Sequence, residues 1–83
     1  MNYDLTKHAQ EAMRQREIPA EWLERTLSAP ELIQPDPDDL DVERYFRKIP
    51  EFGGRVLRVA VSSSIDPPRV ITVFFDRQMK DQL

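Results

Sequence analysis

Three runs of apolar residues in the second half of the chain have the spacing and composition of β-strands. The clearest is 55–61, RVLRVAV, which carries apolar side chains on both faces. A strand of this kind usually lies inside a sheet rather than at its edge. The runs 44–49 and 70–75 flank it, so the three predict an antiparallel meander with 55–61 in the interior.

Side chains on a strand alternate between its two faces, which assigns the central run a core face and an outer face. Leu57, Val59 and Val61 share one face, and we expect them to lie beneath helices. Arg58 interrupts the other face, between Val56 and Ala60. This face is expected to be open to solvent or to a partner.

The first 29 residues carry apolar side chains at helical spacing and predict two helices. The first spans 5–16, with Asp4 or Thr6 as its N-cap. The second opens at Ile18-Pro19, where proline suits the first helical turn, and stops before Pro30. The predicted packing faces are Leu5, Ala9, Ala12 and Met13 in the first helix, and Ile18, Trp22, Leu23, Thr26 and Leu27 in the second.

Helices followed by strands indicate an α+β fold, here a single domain of residues 1–83. We expect helices over about 5–29, an acidic proline-rich loop at 35–43, and an antiparallel sheet of three or four strands over about 44–76. Residues 31–34 suit either a short strand or an extended linker. The polar segment after residue 76 suits a tail with at most one helical turn.

The amino-acid composition excludes several classes of protein and of binding site. The chain has no cysteine, which excludes disulfides and thiolate metal sites and predicts a cytoplasmic protein. It has no apolar run of membrane-spanning length and no signal-peptide pattern at its start. Its acidic loop lacks the glycine-containing turn of a calcium site. We therefore expect no membrane contact, no metal and no cofactor.

Charge is unevenly distributed along the chain. The net charge is −3, which argues against a nucleic-acid ligand. However, residues 32–43 contain five acids and no base, whereas residues 44–80 contain eight bases and three acids. The sheet half is therefore basic, and the connecting loop is acidic.

Five segments, taken in order and spacing, resemble a known bacterial family: His8-Ala9, 13–18 (MRQREI), 27–31 (LSAPE), 54–59 (GRVLRV) and 70–76 (VITVFFD). The resemblance covers residues 3–77 and is to the small family known as domain of unknown function 4258. That family is thought to be similar in fold to RelE and barnase-like ribonucleases, many of them toxins in toxin–antitoxin pairs.

The resemblance implies two helices on an antiparallel sheet, with an active site on the helix-free side or at the helix–sheet rim. It also implies RNA, the ribosome or a small antitoxin protein as partner. This chain departs from a typical toxin in its acidic balance, and in having Pro19 where a Ser or Thr cap would be ordinary.

Metal-independent RNA cleavage needs a base, an acid and cations that hold the phosphate. His8 is the only histidine, the side-chain type best suited to proton transfer near neutral pH, and arginine matches phosphate geometry. The hypothesis requires His8, Arg16 and Arg58 to meet at one exposed pocket. The candidate catalytic residues are His8, Arg16, Arg58 and Thr72, and the candidate phosphate or RNA contacts are Arg14, Arg47 and Arg77.

Structural roles compete with each of these assignments. A lone histidine at the border of a helix stripe often bonds a backbone carbonyl, and Arg58 would be structural if it paired with Glu43 or Asp76. Thr72 is also an ordinary strand residue. The alternative function is a non-catalytic binding or regulatory module of the same fold, which the acidic net charge favours. A monomer and a homodimer through an edge at 44–49 both stay open.

Overall fold

The computed structural model describes residues 2–83 as two helices packed on a five-stranded sheet. The α+β class is therefore confirmed. The strands follow the order β1-β5-β4-β3-β2 across the sheet. The elements are β1 (Asp4–Leu5), α1 (Lys7–Gln15), α2 (Ala20–Ser28), β2 (Leu32–Pro35), β3 (Val42–Ile49), β4 (Arg55–Ser62) and β5 (Arg69–Phe75), with short 3₁₀ turns at Pro50–Phe52 and Arg77–Met79.

The predicted central strand is the middle strand of the sheet. β4 pairs antiparallel with β3 on one side and with β5 on the other. The sheet is nevertheless mixed, because β1 pairs parallel with β5. The expected count of three or four antiparallel strands holds for β2 to β5, and β1 is the addition. A strand of two residues is too short to produce an alternating pattern in the sequence.

The helices begin slightly later than their apolar residues suggest. Thr6 caps α1, since its hydroxyl accepts from the backbone N–H of Ala9 at 3.1 Å. The same hydroxyl donates to the carbonyl of Ile71 at 3.2 Å, which ties the start of α1 to β5. Pro19 is the N-cap of α2 with an extended backbone, φ −62° and ψ 143°, and lies outside the helix. Its predicted place in the first helical turn was wrong by one position.

The main core lies between the helices and the sheet. Leu57, Val59 and Val61 all face it, as the strand pattern predicted. At roughly 25 cal/mol per Å², burial of these side chains supplies the main driving force for folding. The other fully buried members are Ala9, Ile18, Leu23, Leu27, Ile49, Val70 and Val73.

The helix-free face is not open, contrary to expectation. Phe46, Val56 and Ala60 lie on it and expose only 2%, 1% and 6% of their surface. The chain after β5 turns back along β4, and the ammonium of Lys48 donates to a main-chain oxygen of Leu83 at 3.2 Å. Phe46, Val56 and Ala60 therefore form a second, smaller apolar layer, and the segment expected to be a loose tail is held against the same face.

The acidic loop is shorter than predicted and lies far from the start of β4. Pro35 belongs to β2, and residues 42–43 belong to β3. The loop that connects the two strands is therefore 36–41. Backbone N–H donation from Asp38, with help from Arg44, lowers the pKa of Asp36. Since β3 runs eight residues from this loop to the opposite end of the sheet, the two ends are on the order of 20 Å apart.

Over residues 2–83, neither helix has both the length and the apolar character needed to cross a membrane.

Candidate anion-binding cleft

A cleft of about 570 Å³ lies where β4 begins and β5 ends. These strand ends meet because β4 and β5 are antiparallel. The end of α1 closes one side, and the 3₁₀ turns before β4 and after β5 close the others. The lining residues are Arg16, Phe52, Arg55, Val56, Phe75, Asp76, Arg77 and Lys80.

Four cations line this cleft: Arg16, Arg55, Arg77 and Lys80. All four are exposed. Within residues 2–83, none of them forms a salt bridge, although Arg14, Arg25, Arg44 and Arg58 all do. Positive charge that is gathered in a concave surface without carboxylate partners raises the local concentration of anions. The cleft is therefore suited to attract anions.

Aromatic rings form one wall of the cleft. The ring centroids of Phe52 and Phe75 are 4.9 Å apart, and Trp22 supports both from α2 at 5.6 and 6.1 Å. The guanidinium of Arg55 lies over Phe52, 4.5 Å from its centroid. Aromatic faces and guanidinium planes are both surfaces on which nucleic-acid bases stack. The wall therefore suits a ligand that combines a flat group with negative charge.

Asp76 is the only carboxylate that lines the cleft, and both of its oxygens are engaged. Oδ2 accepts from the guanidinium of Arg58 at 3.2 Å, and Oδ1 accepts from the backbone N–H of Gln78 at 3.0 Å. Arg58 also lies over Phe74, 4.8 Å from the ring centroid. Arg58 therefore neutralises the one acid that would otherwise oppose an anion in the cleft.

The structure brings together only part of the predicted active site. Arg16 and Arg77 line the cleft, and Arg58 adjoins it through Asp76. His8 does not line it. That side chain is exposed near the start of α1, about 12 Å along the helix axis from Arg16. Thr72 lies three residues before Phe75 on β5, also away from the lining.

The remaining predicted phosphate contacts lie elsewhere. Arg14 pairs with Glu11 on the surface of α1 at 3.2 Å. Arg47 donates to the carbonyl of Ala29 at 2.6 Å, which satisfies an orphan group at the end of α2. Both side chains have partners within the described part of the chain, and neither lines the cleft.

Sequence reasoning selected only two of the eight lining residues, Arg16 and Arg77, as candidate site residues. Phe52 and Arg55 flank the two glycines of the turn before β4, where Gly53 and Gly54 adopt φ values of 69° and 72°. Such values favour glycine. The sequence therefore offered one indication of the site, namely an aromatic residue and a cation on either side of a glycine pair that forms a turn. Lys80 carried no signal, since its position depends on how the segment after β5 folds back.

No metal site is evident in residues 2–83. No three His, Asp or Glu side chains are grouped so that they would hold an ion.

The family assignment rests on a match to nearly the whole chain. The family described as Domain of unknown function (DUF4258) matches residues 5–75. The chain belongs to this family. The match contains both helices and strands β2 to β5, whereas Asp76, Arg77 and Lys80 of the cleft follow its end. The cleft of this DUF4258 domain is therefore completed by residues beyond the matched region.

Comparison with the curated proteins and with the solved structures gave no match. The similarity of this DUF4258 domain to RelE and barnase-like ribonucleases stays a prediction. The catalytic roles of His8, Arg16, Arg58 and Thr72 stay predictions as well.

The turn that presents Phe52 is held by a bidentate ion pair. The guanidinium of Arg25 donates to both oxygens of Glu51, at 2.8 and 2.7 Å. These hydrogen bonds lower the pKa of the Glu51 carboxyl from its ordinary value near 4.5 to about 2. They also raise the pKa of the Arg25 guanidinium.

We expect Glu51→Gln to flatten the acid limb of the stability profile. A carboxyl whose pKa is lower in the folded state stabilises the protein above its unfolded value, near 4.5, and loses that contribution as pH falls towards 2. The melting temperature of the variant should lie below that of wild type at pH 6, and the two should converge near pH 2. Arg25→Gln is the control and should converge in the same way. Parallel profiles for wild type and Glu51→Gln would show that the pair contributes nothing.

Proposed function

We propose that this DUF4258 domain is a non-catalytic module that binds single-stranded RNA in the basic cleft. The observation that carries the proposal is the set of four unpaired cations beside an aromatic wall. Proteins that bind single-stranded nucleic acid combine a basic groove for the backbone with aromatic side chains for the bases. This domain has both elements at one place.

The acidic net charge does not oppose this proposal as strongly as the composition suggests. The acidic loop at 36–41 lies at the other end of the sheet, beyond the length of β3. That separation exceeds the screening length of about 8 Å at physiological ionic strength. An RNA strand in the cleft therefore meets the four cations and is shielded from the distant acids.

Binding is better supported than cleavage. RNA cleavage requires a group that is free to take up a proton from the attacking hydroxyl. Among the residues that line the cleft, Asp76 is the only carboxylate, and Arg58 and Gln78 engage both of its oxygens. The one histidine, His8, does not line the cleft.

We expect a fluorescein-labelled 12-nucleotide oligouridine to bind the wild-type protein at 50 mM salt, measured by fluorescence anisotropy. Arg55→Gln/Arg77→Gln should weaken binding by about tenfold or more, because it removes two charge-assisted phosphate contacts. The slope of log affinity against log salt should also become shallower by about 1.4, since each single-strand phosphate contact contributes about 0.7.

The matched control is Arg14→Gln/Arg69→Gln, which changes net charge equally but alters residues outside the cleft. It should bind within about twofold of wild type. If the two double variants lost affinity equally, the loss would be explained by net charge alone, and the assignment of RNA binding to the cleft would be overturned. Gel analysis of the same RNA after incubation tests catalysis, and shortening of the RNA would overturn the non-catalytic part of the proposal.

A further inference from the structure

The cations of the cleft are gathered in one place, where β4 begins and β5 ends. All four line a single cavity of about 570 Å³, a volume within the range of about 300–1,000 Å³ typical of small-molecule sites. An internal RNA phosphate carries one negative charge, and successive phosphates are spread along the strand. A cavity of this size therefore holds more positive charge than an internal stretch of RNA would match.

The one acid in the cavity does little to reduce this excess. Arg58 contacts Asp76 but does not itself line the cleft. The pair is largely buried, with 20% and 12% of the two side chains exposed. The four unpaired cations therefore present an excess of positive charge to a ligand, concentrated beside one stacking surface.

From this charge density, and on the basis of the proposed RNA binding, we propose that the cleft recognises a nucleotide carrying a 5′ di- or triphosphate. The aromatic wall of Phe52 and Phe75 accommodates one base. The four cations, Arg55 among them, contact the phosphate chain, for which arginine offers bidentate hydrogen bonds. This ligand chemistry occurs at the 5′ end of an unprocessed RNA and in a free nucleoside polyphosphate.

The test compares three 12-nucleotide RNAs of identical sequence, labelled with fluorescein at the 3′ end. They carry a 5′ hydroxyl, a 5′ monophosphate or a 5′ triphosphate. We expect the triphosphorylated RNA to bind about tenfold or more tightly than the hydroxyl form. That preference should disappear in Arg55→Gln/Arg77→Gln and persist in Arg14→Gln/Arg69→Gln. Thermal melts confirm that each variant is folded.

Competition with free compounds separates the two sources of the ligand. If ATP or GTP displaces the triphosphorylated RNA at concentrations near the affinity of the RNA, the free nucleotide is sufficient for recognition. A much weaker effect of ATP and GTP would assign the site to RNA ends. Inorganic tripolyphosphate measures the contribution of charge alone, and competition as strong as that of ATP would overturn the role of the stacking wall.

Failure of this inference is distinguishable from failure of the proposed function. Equal affinity for the three RNAs, still lowered by Arg55→Gln/Arg77→Gln, would overturn the 5′-phosphate preference and leave RNA binding intact. Binding of ATP without binding of any RNA would overturn RNA as the ligand and assign the polyphosphate site to a free nucleotide. Absence of binding to RNA, ATP, GTP and tripolyphosphate would overturn both proposals.

Discussion

Replacement of Phe46 by alanine is expected to destabilise the domain by about 3–5 kcal/mol. Phe46 is 2% exposed and lies on the helix-free face, opposite Arg58 on the neighbouring strand. Truncation removes the largest buried side chain of that face and leaves a cavity in the second apolar layer. Since domains of this size are stable by about 5–15 kcal/mol, the variant should melt roughly 15–30 °C below wild type.

Calorimetry and urea unfolding at 25 °C measure this effect. Ile33→Ala is the matched control, because Ile33 belongs to the adjacent strand β2 but is 45% exposed. Its loss should be less than about 1 kcal/mol. Similar small losses for both variants would show that the helix-free face is an open surface, which would contradict the second apolar layer.

The main core was predictable because its signal is local. Alternation along β4 assigned Leu57, Val59 and Val61 to the helices, and helical spacing assigned Leu23 and Leu27. Each inference needed only the period of one element. The same alternation placed Arg58 on the other face correctly. Local periodicity therefore identified the main core and the orientation of its central strand.

The second layer was not predictable in this way. Phe46 and Val56 are buried on a face that no helix covers, and the segment held against this face has a polar sequence that resembles a solvated tail. That segment is held by individual contacts, such as the hydrogen bond from the Lys48 ammonium to a main-chain oxygen of Leu83. Contacts of this kind leave no periodic pattern in the sequence. The parallel pairing of β1 with β5 was not predictable either, because a strand of two residues leaves no periodic pattern.

The candidate site was predicted in part because residue type indicates chemistry but not position. Arginine and histidine were selected as phosphate-binding and proton-transfer groups, which identified Arg16 and Arg77 of the cleft. His8 was included for its chemistry, although the start of α1 is held at Ile71 by the Thr6 hydroxyl. Since α1 runs along β5 from that point, its two ends lie at different ends of the strand. His8, in the first turn of α1, therefore does not line a cleft that lies at the last turn of the same helix.

Removal of either partner of the Arg58–Asp76 pair is expected to cost about 2–3 kcal/mol, less than for a fully buried pair because both side chains are partly exposed. The side chains are 20% and 12% exposed, so the partner that is left would hold a largely buried charge without compensation. Arg58→Met retains the apolar stem over Phe74, and Asp76→Asn retains the bond from Gln78. Urea unfolding at 25 °C gives both free energies of unfolding.

The double variant Arg58→Met/Asp76→Asn should lose no more stability than the worse single variant, because it leaves neither charge unpaired. Additive losses would show that the two side chains act independently. Ligand affinity then separates the pair's structural role from its electrostatic role. Arg58→Met leaves an uncompensated carboxylate in the cleft and should weaken binding of triphosphorylated RNA, whereas Asp76→Asn removes that carboxylate and should not. The two substitutions thus change stability in the same direction, but only Arg58→Met lowers affinity. A purely structural pair would lower affinity equally in both variants, through the shared loss of fold.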